Sequence, residues 1–194
     1  IQEVHRFKHE AKEFEDRGLR WEWAKIVDEV KTGLLKAQEL GEIISIGIDT
    51  WAVDYGLVDS EGKLVATPRH YRDERNLFGA SVVHESTSQN ELYQNNGLQF
   101  QPFNTLYQLT AEQLQNPELL ANAETVLLMP DLIAFLLTGV RRAEVTNAST
   151  TGLLDVRTHN WNLQLCEKLS INPVLLPQMI NPGEIYGEIG RAHV

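Results

Sequence analysis

The apolar residues of the chain gather into short runs between polar stretches, and the two clearest patterns stand side by side. Trp23, Ile26, Val27, Val30, Leu34 and Ala37 recur at i, i+3, i+4 and i+7, and predict a helix over 21–40 with one buried face. Gly33 inside it costs about 1 kcal/mol against alanine, and Gly41 is placed to cap its end. Directly afterwards, 43–48 holds four isoleucines in six residues. That run is β-branched and too short for an ordinary helix, so it predicts a strand covered on both faces. It stops at Asp49, and Thr50, Trp51 and Asp54 follow. In open α/β sheets, ligands sit beyond the carboxyl ends of strands. Either this stretch points polar groups and an aromatic plate at a pocket, or Asp49 and Thr50 simply cap a turn.

The rest of the chain alternates in the same way. Residues 2–7 alternate polar and apolar as a short strand would, and 8–19 is dense in charge and reads as a solvated loop. Residues 55–65 carry an Asp59-Ser60-Glu61-Gly62 turn between apolar arms, a hairpin signal. Its second arm runs into His70-Tyr71-Arg72-Asp73, where Tyr71, Arg72, Asp73 and Arg75 either crowd an aromatic, two guanidiniums and a carboxylate beside the Trp51 loop or form a solvated charge run. Residues 76–96 read as one helix ended by Gly97, with Leu92 and Tyr93 buried. Thr105-Leu106-Tyr107-Gln108 fits a capping box that opens a helix through Leu114. Asn116-Pro117 opens another. Residues 125–129 form a second buried strand, and Asp131 caps a helix over 132–137 that Gly139 closes. The polar run 144–152 is a phosphate-contacting loop or a turn and helix cap, with the cap favoured. Trp161 reads as a core anchor, Asn172-Pro173 starts a short helix through Met179, and 182–190 is an extended connection.

Composition narrows the function classes. The 194 residues carry a net charge of −10 without a basic cluster, which excludes a phosphate footprint for nucleic acid. The longest apolar run, 132–137, is far too short to span a membrane. With one cysteine, Cys166, and a charged start, the chain is expected in a reducing, cytoplasmic setting. His5 and His9 have helical metal spacing but lack acidic partners and read as surface histidines.

Five blocks in order resemble the FGGY carbohydrate kinases, in particular those acting on L-rhamnulose. Ile46-Gly47-Ile48-Asp49-Thr50-Trp51-Ala52-Val53-Asp54 is similar to their I-G-I-D-T-W-G-V-D segment, and Tyr71-Arg72-Asp73 to their Y-R-D stretch. Gly97 to Leu109 resembles G-I-Q-F-x-P-F-N-T-L-Y-Q-L, and Leu128-Met129-Pro130-Asp131 with Leu137-Thr138-Gly139 the L-M-P-D to L-T-G block. Thr146 to Thr151 resembles T-N-A-T-T-T.

The resemblance implies an α/β fold of the ribonuclease H-like, actin and hexokinase type. Residues 1–181 would be most of the sugar-binding N-terminal domain, and 182–194 the connection to a second domain. A D-x-G-x-x-S phosphate hairpin would precede Ile1, and the catalytic aspartate and most of the nucleotide site would follow Val194. The implied reaction moves the ATP γ-phosphoryl group, with Mg²⁺, to the 1-hydroxyl of L-rhamnulose. The implied sugar contacts are Thr50, Trp51, Ala52 and Asp54, then Tyr71, Arg72 and Asp73, then Phe103 and Asn104, while Phe103 also suits a core position. Ala52 stands where the family often has glycine. A kinase for another ketose or polyol, or a non-catalytic sugar-binding module, remains open beside this expectation.

Overall fold

The computed structural model describes residues 1–14 and 18–189. In chain order it contains β1 (Ala11–Glu13), β2 (Leu19–Trp21), α1 (Trp23–Gln38), β3 (Tyr55–Val58), α2 (Arg75–Ser86), α3 (Gln89–Asn96), α4 (Thr105–Gln115) and α5 (Pro117–Ala121). Then come β4 (Thr125–Leu128), α6 (Met129–Thr138), β5 (Ala143–Glu144), α7 (Val145–Ala148), β6 (Leu154–Asp155), β7 (Asn160–Trp161), α8 (Leu163–Lys168) and β8 (Met179–Ile180).

The centre is the antiparallel pair β3–β4, in register Tyr55↔Leu128 to Val58↔Thr125, with every residue of both strands buried. Alternation sends side chains to two faces. Tyr55, Leu57, Val126 and Leu128 join Ala80, Val83, Leu106, Leu109 and Cys166 from α2, α4 and α8. Val58 and Leu127 pack with Met129 and Leu132 of α6 on the other face. Here β3 turns back through the expected hairpin: Asp59 N–H donates to the Lys63 carbonyl at 2.9 Å and Gly62 takes φ 82°. Helices α2 and α4 lie together so closely that a Cβ on Gly79 would stand 2.0 Å from the Tyr107 carbonyl oxygen.

Several expectations need correction. Residues 43–48 form no strand: among the described residues nothing hydrogen-bonds to the backbone of 43–49, and Ile44 is 92% exposed. Its β-branched pattern is real, but a strand exists only with a partner. The first strand is 11–13 and not 2–7, paired with β2. The helix over 76–96 is two, because Thr87 is extended and the Ser88 hydroxyl caps α3 by accepting from Glu91 N–H at 3.1 Å. Tyr93 is exposed on it, while Leu92 is buried and Gly97 ends it in the left-handed conformation. Gly41 is not the cap of α1, where Glu39 stands. Only Ile26 on its predicted face is fully buried. The N-cap position of α4 is Asn104, whose side chain makes no capping bond, so the expected capping box at Thr105 does not form, and Asp131 lies in the first turn of α6 and not at its cap. The helix after Asn172 is one short 3-10 turn, Pro173–Leu175.

Candidate functional site

The loop between residue 50 and β3 is the hinge of the site. Val53 has φ 68°, a left-handed conformation rare for a β-branched residue. Asp54 N–H donates to the Ala52 carbonyl at 2.9 Å, an i→i+2 bond of the γ-turn kind. The first turn of α4 holds this shape: the Thr105 hydroxyl donates to the Val53 carbonyl at 2.7 Å and the Gln108 amide at 3.2 Å. Thr105 and Gln108, read in the sequence as a capping box, thus serve the loop and not the helix end.

The turn drives Asp54 into the interior, where it is 0% exposed. Its Oδ2 accepts from the Trp21 indole at 2.6 Å and the Trp51 indole at 3.0 Å, and its Oδ1 from Gln108 at 3.3 Å. Burial pushes this carboxyl up to about 6, against the lowering effect of the three donors. Asp73 is also turned inwards. It accepts from Leu19 N–H at 2.8 Å, Arg69 at 3.2 Å and Arg75 N–H at 3.0 Å, so it ties β2 to the start of α2. Expected to face sugar hydroxyls, both carboxylates face protein donors.

The aromatic residues do come together. Trp51 lies 4.3 Å from Trp21, Trp21 4.3 Å from His70, His70 4.3 Å from Tyr71, and Tyr71 5.9 Å from Phe103. His9 stacks on Trp51 at 5.3 Å, and its Nδ1 is buried without a partner. The Arg72 guanidinium lies 5.3 Å over the Tyr71 ring. Trp51, Tyr71 and Phe103 are half-buried, so this ring wall keeps faces open to solvent. His70 is neutral: its Nδ1 accepts from Arg72 N–H at 3.0 Å, and burial with Arg72 nearby lowers it to about 4. Asn104, buried, donates to the Thr150 carbonyl at 2.8 Å and joins the ring wall to the 149–151 turn.

Thr50 and Ala52, unlike Trp51, border a separate hollow. They line a cavity of about 1140 Å³ with Asp131, Thr146, Asn147, Thr150 and Tyr186. Asp131 accepts from Glu144 N–H at 3.1 Å and the Tyr186 hydroxyl at 3.3 Å, its second oxygen has no partner, and burial pushes it up to about 7. The run 144–152 is a helix cap, with the Glu144 carboxylate accepting from Thr146 and Asn147 N–H. The sequence thus marked Trp51, Tyr71 and Phe103 as one group but missed Trp21 and His9. The helical pattern takes in Trp21 as its first residue, whereas the structure places it in β2, and the spacing of His9 reads as a surface histidine. Gln108 is marked in the sequence only as part of a capping box, and its bonds to Asp54 and Val53 arise from the tertiary fold.

The sequence matches the FGGY family of carbohydrate kinases, N-terminal domain, over residues 2–194. The chain belongs to that family. Within it, a curated relative from Enterococcus faecalis named rhamnulokinase is 42% identical over 193 residues, 99% of this chain and 38% of that protein. Another rhamnulokinase, from Halalkalibacterium halodurans, is 38% identical over 190 residues, 97% of this chain and 40% of that protein. The chain therefore spans about two fifths of the curated relatives it matches. Among solved structures, gluconate kinase from Lactobacillus acidophilus superimposes with a TM-score of 0.84 at 20% identity, over 97% of this chain and 39% of that one. The ribonuclease H-like fold expected of an FGGY kinase is thus the fold found. In this FGGY domain the D-T-W-A-V-D block is a device for burying one carboxylate and fixing a half-buried indole against it.

Proposed function

We propose that the chain is the sugar-holding part of an ATP-dependent kinase that phosphorylates the 1-hydroxyl of L-rhamnulose. The observation that carries this is the unbroken match, over 99% of the chain, to a relative named rhamnulokinase. The ring wall supports it. A sugar offers hydroxyls and one apolar ring face, and aromatic faces with a few placed polar groups answer both. Trp51, Tyr71 and Phe103 supply the faces, and Arg72 supplies charged donors at the rim. Asn104 braces this wall from behind through the Thr150 carbonyl, and Thr50 and Ala52 border the neighbouring cavity rather than the rings.

Phosphoryl transfer depends on positioning and electrostatic stabilisation. These residues contribute the positioning. Among the described residues, no group of three or more His, Cys, Asp or Glu side chains suits a metal ion. Nor does the cavity fit a triphosphate, since its lining holds no Lys, Arg or His among the described residues to answer the charge. In this reading the Mg²⁺ and ATP contacts, and the base that takes the hydroxyl proton, belong to the length of the relatives that these residues do not span.

The test is a panel of ketoses and polyols with the full-length protein in an ADP-release assay. L-rhamnulose is expected to give the highest kcat/KM by about tenfold or more. A preference for another ketose would replace the substrate, and sugar binding without turnover would leave a binding module.

A further inference from the structure

We infer that Asp54 is a positioning residue that locks the buried Trp21 of β2 behind Trp51, so that Trp21 backs the sugar wall. The inference rests on the sugar-kinase reading above and deepens it. Asp54 is 0% exposed and can touch no ligand. What it touches is two indole N–H groups, both on Oδ2, at 2.6 and 3.0 Å. An indole has one N–H and no acceptor, so each bond fixes the direction of its ring. A shared acceptor then fixes the rings to each other, and they lie 4.3 Å apart at 39°. The bonds are charge-assisted and stronger than neutral ones.

The network reaches the third ring as well. Gln108, also 0% exposed, donates to Asp54 Oδ1, to the Val53 carbonyl and to the Phe103 carbonyl at 2.9 Å. Three separate segments (β2, the 50–54 loop and the 103–104 turn) are thus joined through one buried carboxylate and one buried amide. Packing alone does not call for a carboxylate here. An apolar residue of similar volume holds a core as well or better, because a buried charge bears a desolvation cost. That cost is visible in the upward shift of Asp54. What the carboxylate adds is orientation, and the ring it orients, Trp51, is half-buried, so part of it reaches solvent.

The experiment compares Asp54→Asn, Asp54→Leu and Trp21→Phe in the full-length protein. One readout is the exciton couplet of the stacked indole pair in the far-ultraviolet circular dichroism, which reports ring geometry without substrate. The other is KM for sugar against KM for ATP, with a thermal melt to confirm folding. Asp54→Asn keeps an acceptor oxygen and should retain the couplet, with sugar KM within about threefold of wild type. Asp54→Leu should lose the couplet and raise sugar KM by about tenfold or more, with KM for ATP within about twofold. Trp21→Phe should raise sugar KM several-fold and leave KM for ATP unchanged. An active Asp54→Leu protein with unchanged sugar KM, or with both KM values moved equally, overturns the positioning role. Unchanged sugar KM in Trp21→Phe removes Trp21 from the wall. If Asp54→Leu does not fold, Asp54→Ala takes its place, and a retained couplet with unchanged sugar KM in the folded protein overturns the inference. Should wild type turn over no sugar at all, the kinase reading falls separately. The couplet then decides: persistence in Asp54→Leu overturns the lock, and loss upholds it.

Discussion

A valine in the left-handed region costs on the order of 1–3 kcal/mol and survives only where its surroundings over-determine it. Val53 meets that condition, its carbonyl held by both Thr105 and Gln108. The same turn buries Asp54, and with it comes a pH dependence shared with Asp131. Both carboxyls rise from 3.8, Asp54 to about 6 and Asp131 to about 7, each chiefly through burial. Raised groups bind protons more tightly folded than unfolded. Their stabilisation is therefore complete below about pH 4 and is lost as pH rises through their folded values. His70, lowered from 6.5 to about 4, works in the opposite sense: its contribution is present above its unfolded value and lost as pH falls towards 4. Two groups against one leave a net decline with rising pH across this window. Asp131→Asn isolates one of them. Relative to wild type it should gain roughly 2–3 kcal/mol on going from about pH 5 to about pH 8. Denaturant titrations at the two pH values check this, and an equal difference at both would show that Asp131 is not raised.

Between elements, the decisive contact is α2 against α4. Gly79 permits it, since a methyl there would meet the Tyr107 carbonyl oxygen at 2.0 Å and Ala111 Cβ at 3.2 Å. Backbone cannot yield as a flexible side-chain tip does, so Gly79→Ala should destabilise by about 3 kcal/mol, measured as a lower denaturant midpoint. A loss under about 0.5 kcal/mol would show that the helices separate freely. The same helices are joined by the buried pair Arg75–Glu112. Removing one partner strands a charge, so Glu112→Ala should cost about 3–5 kcal/mol. The double variant Arg75→Met with Glu112→Leu should recover most of that, and a double variant worse than the single would contradict the charge argument. Elements bounded by local chemistry were legible in the sequence: α4, α5, α6 and β4 sit between Pro117, Gly139 and the turn residues that delimit them. The ring loops were legible for the same reason, as aromatics beside polar turns. What the sequence did not carry is partnership. Ser88 can cap a helix, but nothing local says the chain breaks there. Asp54 and Asp73 look like ligand groups until the tertiary fold supplies Trp21, Gln108, Leu19 and Arg69 as their donors. Trp21 and His9 join the wall only because β2 lies beside a loop thirty residues away.

At the scale of the molecule, an isoleucine-rich segment is left largely uncovered. Ile43 to Ile48 has the composition of a strand buried on both faces. Yet it runs extended along the cavity opposite Asp131 and Tyr186, with no backbone bonds from the described residues. Tyr55–Val58 and Thr125–Leu128, by contrast, are paired and fully buried. Local stability follows such bonding and burial, from near zero in unpaired segments up to the global value in the core. Amide hydrogen exchange on the 194-residue chain should therefore separate the two. The amides of Ile44, Ile46 and Ile48 should exchange at close to unstructured rates, while those of Leu57, Val126 and Leu127 persist to the limit of global unfolding. Free backbone beside isoleucine side chains also invites pairing with another chain. Self-association should thus grow with concentration in light scattering, slow exchange at 43–48 as it grows, and weaken in Ile44→Lys. Strong protection of Ile44, Ile46 and Ile48 in a dilute monomer would show that the segment finds a partner within these residues, and that its extended, unpaired course is not the one the chain takes.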